Sequence, residues 1–134
     1  MYDNYDIRVA LVSYLKANST VVATLDDPLE IRELSWQGED FSFPNIRVTC
    51  SVTPTQCNIT DVTAVVSYFS ERKSSKQAIQ SQGIIAKQLH EDDFTANSIH
   101  MSAIVVTQLP DAVQVSEGVW KADVNLTMKA SGGT

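Results

Sequence analysis

Two histidines, two cysteines and a few paired acids are the side chains in this 134-residue sequence with which a reaction could be run. Nucleophilic, acid–base and metal chemistry all draw on those types, but only in particular arrangements. Cys50 and Cys57, with six residues between them, lack the second pair or the His cluster that would complete a tetrahedral zinc site, and they read as free thiols. His90 falls at the end of an expected helix and His100 at the start of an expected strand. Neither has a motif around it, and capping or surface roles suit both. Asp26-Asp27 and Asp92-Asp93 lack the spaced oxygens and the glycine turn of a calcium loop, so they read as solvated turns. No Walker loop, dinucleotide fingerprint, His-Glu-x-x-His or Gly-x-Ser-x-Gly occurs. The expectation is no enzyme, no catalytic residue, no cofactor and no metal site. The competing reading from another class is a small enzyme or ligand-binding domain that uses an open sheet face with His100 and Cys50.

Composition narrows the partners. The chain carries 16 acidic and 10 basic residues, a formal charge of −6, and no basic run longer than Arg72-Lys73. Tight wrapping of nucleic acid rests on clustered cations that displace counterions from phosphate, so one subunit is not expected to grip DNA. An acidic surface can still face DNA that has to slide past it. The N-terminus has no basic region followed by an apolar stretch, and no 18-residue apolar run exists, so neither a secretory signal nor a membrane span is expected and the protein reads as cytoplasmic. The sequons beginning at Asn18, Asn58 and Asn125 then carry no meaning. An apolar fraction of 43% with 19% charged residues is ordinary for one folded domain, here residues 1–130, with 131–134 as a flexible tail.

The elements follow from periodicity. Ile7, Ala10, Leu11, Tyr14 and Leu15 share one face at about 100° per residue, giving a first helix near residues 6–17 with Asp3, Asn4 and Asp6 at its start. A short helical continuation follows over residues 20–25. A loosely alternating segment over 29–34 reads as an edge strand. Ile46, Val48, Cys50 and Val52 alternate cleanly with polar residues, and Val62, Ala64, Val66 and Tyr68 do so in the next strand, so the two pair most simply as a hairpin. Ser74-Ser75 caps a second helix running to about residue 90, with the stripe Ala78, Ile79, Ile85, Ala86 and Leu89. Glu91-Asp92-Asp93 then lies at the wrong end for the helix dipole. Two further strands over 99–108 and 119–129 close the chain, the last alternating Trp120, Ala122, Val124, Leu126 and Met128. The order predicts an α+β fold, a mostly antiparallel sheet of about five strands with two helices packed on one face and the other face open to partners.

Apolar residues are left over after these stripes are drawn. Val9 and Val12 lie off the first helix's stripe, Ile84 off the second's, and Trp36, Phe41 and Phe43 cluster in the loop over residues 36–44. The loop could fold its aromatics over its own core. Taken together, these six residues are the candidate interface, because aromatics concentrate in interface cores.

The helix Ile7-Arg-Val-Ala-Leu-Val-Ser-Tyr-Leu15, the loop ending Phe43-Pro-Asn-Ile-Arg-Val48, the strand ending Tyr68-Phe-Ser70, the helix ending at Leu89 and the strand Trp120-Lys-Ala-Asp-Val-Asn-Leu126 are similar in order and spacing to the tail (neck) terminator, or tail completion, proteins of bacteriophages. The similarity covers nearly the whole chain. What it implies is a late virion-assembly protein, assembled in the host cytoplasm and resident in the virion's tail or neck. Its partners would be copies of itself in a ring, usually a hexamer, the tail tube protein, and the neck or head completion protein. DNA would pass through the lumen without sequence-specific binding, and no membrane would be involved. Another head–tail connector built on the same plan is the neighbouring alternative.

Overall fold

The computed structural model describes residues 3–25, 30–33, 43–55 and 59–132. The first helix, α1 (Asn4–Ala17), starts at a capping box: Asp3 accepts from the Asp6 N–H at 2.8 Å while the Asp6 carboxylate accepts from the Asp3 N–H at 3.4 Å. Its expected stripe is buried at Ile7, Ala10, Leu11 and Leu15, with Tyr14 half-buried beside it. The Asn18 side chain breaks the helix and caps a new one, accepting from Thr20 N and Val21 N, so α2 (Ser19–Val22) is a separate single turn.

Seven strands follow: β1 (Ile31–Glu33), β2 (Asn45–Pro54), β3 (Ile59–Glu71), β4 (Phe94–Ala96), β5 (Ile99–Gln108), β6 (Val113–Ser116) and β7 (Val119–Gly132), with α3 (Lys76–Leu89) between β3 and β4. They form one sheet in the order β1-β2-β3-β7-β5-β4, with β6 also paired to β7. The β2–β3 hairpin is present, with Val48 opposite Val66, and the central β3–β7 pair continues the row with Val66 opposite Val124. β1 lies at an edge, as its weak alternation predicts, but runs parallel to β2.

The α+β expectation holds with corrections. Among the described residues the sheet has seven strands rather than about five, one pair is parallel, and three helices are formed. The two strands missed are β4, with 3 residues, and β6, with 4 residues, all four of which are exposed. Both are too short for their alternation to stand out from the turns that flank them. Gly118, in the left-handed region at φ 74°, makes the turn joining β6 to β7. Ala103, at φ 53°, sits in the β5 bulge between Ser102 and Val105.

One apolar cluster takes in the buried residues of α1, α3 and the central strands. Its rows are set by register, for example Cys50, Ala64 and Leu126 across β2, β3 and β7. α1 packs on β1 and β2 at one edge of the sheet and on β4 at the other, so the sheet curls around it. Tyr14 stacks on Phe94 with ring centroids 3.7 Å apart and an interplanar angle of 19°. On α3 the stripe differs from expectation: Ile79 is 41% exposed, whereas Ser81 and Gln82 are each only 5% exposed. Ala78, Gln82, Ile85 and Leu89 follow the 3.6-residue period that faces the sheet, and Ile79 falls a quarter-turn outside it.

The opposite sheet face is not open throughout. Asn45, Arg47 and Ser67 alternate with the core positions and are buried there, and Arg47 pairs with Glu30 at 3.9 Å with both side chains nearly excluded from solvent. Farther along this face Asp61 and Lys129 form an exposed pair at 2.7 Å.

Candidate interaction surfaces

Of the six expected interface residues, the four that are described lie at separate places. Val9 lines a shallow depression with Tyr5, Asp6, Asn97 and Ile99, while Val12 is half-buried against the core. Ile84, 37% exposed, lines a different and larger groove on α3. Phe43 is half-buried at the start of β2, and Trp36 and Phe41 lie outside the described residues. Other exposed apolar residues are Tyr5, Ile59, Val105, Leu109, Val113 and Val115, together with Ile79, which the sequence placed in the buried stripe. Val113 and Val115 had a signal available, since β-branched residues alternating with polar ones next to a Gly turn mark a strand.

The larger groove has a volume of about 970 Å³ and runs between α2 and the first half of α3. Thr20, Ala23 and Thr24 form one wall, fixed by Tyr68, whose hydroxyl donates to Thr24 O at 2.6 Å. Gln77, Ser81 and Ile84 form the other, and Arg72, Lys73 and Lys76 stand at its mouth where β3 hands over to α3. The Arg72 N–H donates to Gly118 O at 2.9 Å, which ties this mouth to the β6–β7 turn. Three of the chain's ten cations are therefore gathered within five residues, and none of the three pairs with a described carboxylate.

The helix start beside them is only weakly capped. Ser75 is the N-cap of α3, but contrary to expectation its side chain makes no capping hydrogen bond, and the first turn holds no acid. Ser74 Oγ accepts weakly from Lys76 N at 3.4 Å. The first N–H groups of a helix carry partial positive charge, so the groove mouth adds that dipole to three full charges.

The residues with chemical potential are engaged elsewhere. Cys50 is buried, its thiol 3.3 Å from Asn4 O, and burial pushes its pKa up against the smaller opposing pull of Arg8. Cys57 and Asp26-Asp27 lie outside the described residues. His90 Nδ1 accepts from the Val106 N–H at 3.0 Å, and His100 Nδ1 lies 3.1 Å from the Thr95 hydroxyl. Asp92 accepts the Tyr14 hydroxyl proton, and the tyrosine's pKa is pushed up to about 12, first by burial and then by that carboxylate. Among the described residues no three His, Cys, Asp or Glu side chains converge as a metal site, and no helix is long and apolar enough to cross a membrane.

No protein-family model matches the chain, and no curated protein matches it in sequence. Among solved structures, the fold is similar to that of a chain in the virion of a native gene transfer agent particle. The TM-score is 0.68 at 10% sequence identity, over 93% of this chain and 94% of that chain. The likeness is one of fold, and it extends from end to end of both chains.

Proposed function

We propose that this chain is a structural subunit of a phage-like virion, and within that class a tail terminator: a subunit that closes into a ring, caps the tail tube and joins it to the head–neck connector. The observation that carries the reading is the fold likeness to a chain of a gene transfer agent virion, over 93% of this chain and 94% of that chain. The order of elements that resembles the terminators supports the finer reading. So do the exposed apolar residues on α3 and β6, which a ring could cover.

The proposed role is mechanical. Subunits present complementary surfaces, the ring stacks on the tube's last layer, and a net charge of −6 per chain keeps phosphate from adhering to the lumen as DNA passes. Catalysis has no part in this reading. The engaged His90 and the enclosed Cys50 thiol support structural roles for both.

Tagging the protein and imaging purified particles by cryo-electron microscopy tests the proposal. The expected result is a ring of density between the tail tube and the head. Particles that lack the protein, or that carry it only as a soluble contaminant, would overturn it. A second reading, a different head–tail connector, is favoured by the same likeness, because the matched chain belongs to a virion particle as a whole. Contact with the tube's last ring separates the two.

A further inference from the structure

The helix α3 is flanked at both ends by charge clusters of the wrong sign, although Lys87 in its last turn has the right one. Arg72, Lys73 and Lys76 crowd its N-terminus, where the helix dipole is positive, and Glu91, Asp92 and Asp93 follow its C-terminus, where the dipole is negative. Each cluster is unfavourable to the helix it flanks. Over 14 residues at 1.5 Å rise, the two lie about 20 Å apart at opposite poles of one element.

The groove behind the basic pole holds a polar atom without a partner among the described residues. Ser81 is 5% exposed and lines the groove. Gln77 Oε1 is enclosed in the same wall and has no hydrogen-bond donor among the described residues. Buried polar atoms are ordinarily satisfied, so this oxygen points to something that enters the groove. A hydroxyl and ammonium groups suit a carboxylate. An amide oxygen needs an N–H, which a polypeptide supplies and a DNA phosphodiester does not.

Resting on the self-assembling part of the function proposed above, we infer that this groove receives the acidic 91–93 segment of a second copy of the chain. Arg72 and Lys73 of one copy then face Glu91 and Asp93 of the next, and the dipoles of successive α3 helices line up head to tail. The exposed Ile84 at the groove is covered by the same contact. Made head to tail, once between each pair of neighbours, the contact is heterologous, the kind that generates a ring where the rotation closes. Asp92 stays with Tyr14 and is not spent on the contact.

Charge reversal tests this. One variant is Arg72→Glu with Lys73→Glu, a second is Glu91→Lys with Asp93→Lys, and circular dichroism confirms that each folds. Sedimentation is measured at ionic strengths of about 0.02 M and about 0.5 M, which change the screening length several-fold. The wild type is expected to self-associate more strongly at low salt, and either variant alone to lose about tenfold or more in association. An equimolar mixture should recover it, since every contact between unlike variants is again opposite in sign. A wild type that stays monomeric at about millimolar concentration in low salt, variants that associate as the wild type does, or a mixture that fails to recover would each overturn the contact. So would loss of binding to a duplex DNA oligomer in the first variant with its self-association intact. Particles that incorporate both variants at wild-type levels would remove this contact and leave the virion reading standing, whereas absence of the wild type from particles would remove that reading and leave the sedimentation result standing.

Discussion

Tyr14 donates its hydroxyl proton to Asp92, 78 residues away, and so ties the last turn of α1 to the segment that follows α3. The ring of Tyr14 stacks on Phe94 two residues farther on, which makes this the clasp between the first helix and the far edge of the curled sheet.

Tyr14→Phe keeps the stack and removes the hydrogen bond to a charged acceptor, so a loss of about 1.5–3 kcal/mol in urea unfolding at pH 7 is expected. The pH dependence has a definite sign. A tyrosine whose folded pKa is raised from 10.0 to about 12 stabilises the fold fully below pH 10, and that contribution is lost as pH rises through 12. The wild type should therefore lose stability between those values more steeply than Tyr14→Phe. Parallel slopes for the two proteins would show that the clasp does not hold.

Gln82 was absent from the expected stripe, yet its Nε2 donates to Pro110 O at 2.7 Å and to Asp123 O at 2.6 Å. It fastens α3 to β7 and to the segment between β5 and β6. Gln82→Ala strands two carbonyls and should cost about 2–4 kcal/mol, more than an exposed control such as Gln80→Ala at about 0.5 kcal/mol or less. The urea midpoint should fall with an unchanged slope.

Asp3 starts α1 by the reciprocal bond with Asp6. Asp3→Ala should destabilise by about 1 kcal/mol and Asp3→Asn by less, because asparagine caps nearly as well. Faster amide exchange at the first turn of α1, with α3 unchanged, is the accompanying signature.

Cys50 separates a structural thiol from a nucleophile. Burial is the larger cause of its raised pKa, so in a Cys57→Ser background iodoacetamide at pH 8 should label it slowly, at a rate that rises with urea as the chain opens. Rapid stoichiometric labelling of the folded protein would instead mark a reactive site and revive the ligand-binding reading.

Where a residue's surroundings repeat along the chain, the sequence was sufficient. The α1 stripe, the β2–β3 hairpin and the buried row of Ala122, Val124, Leu126 and Met128 are all legible in it, because burial on one face imprints a period of 3.6 or 2 on the residue types. Composition likewise gives the acidity of the chain and the scarcity of catalytic side chains.

Other relationships required the three-dimensional fold. No local pattern encodes that β1 runs parallel to β2, that Gln82 rather than Ile79 faces the sheet, or that Tyr14 meets Asp92. The candidate surface shows the same division. Ile84 was legible as a surplus apolar residue, but the groove it lines exists only because α2 and α3, some 60 residues apart, are brought side by side. The residues themselves show that Arg72, Lys73 and Lys76 are close in sequence; the fold decides that they stand at a groove mouth, at the opposite pole of α3 from the acids, because position in space is set by long-range packing that no window of neighbouring residues contains.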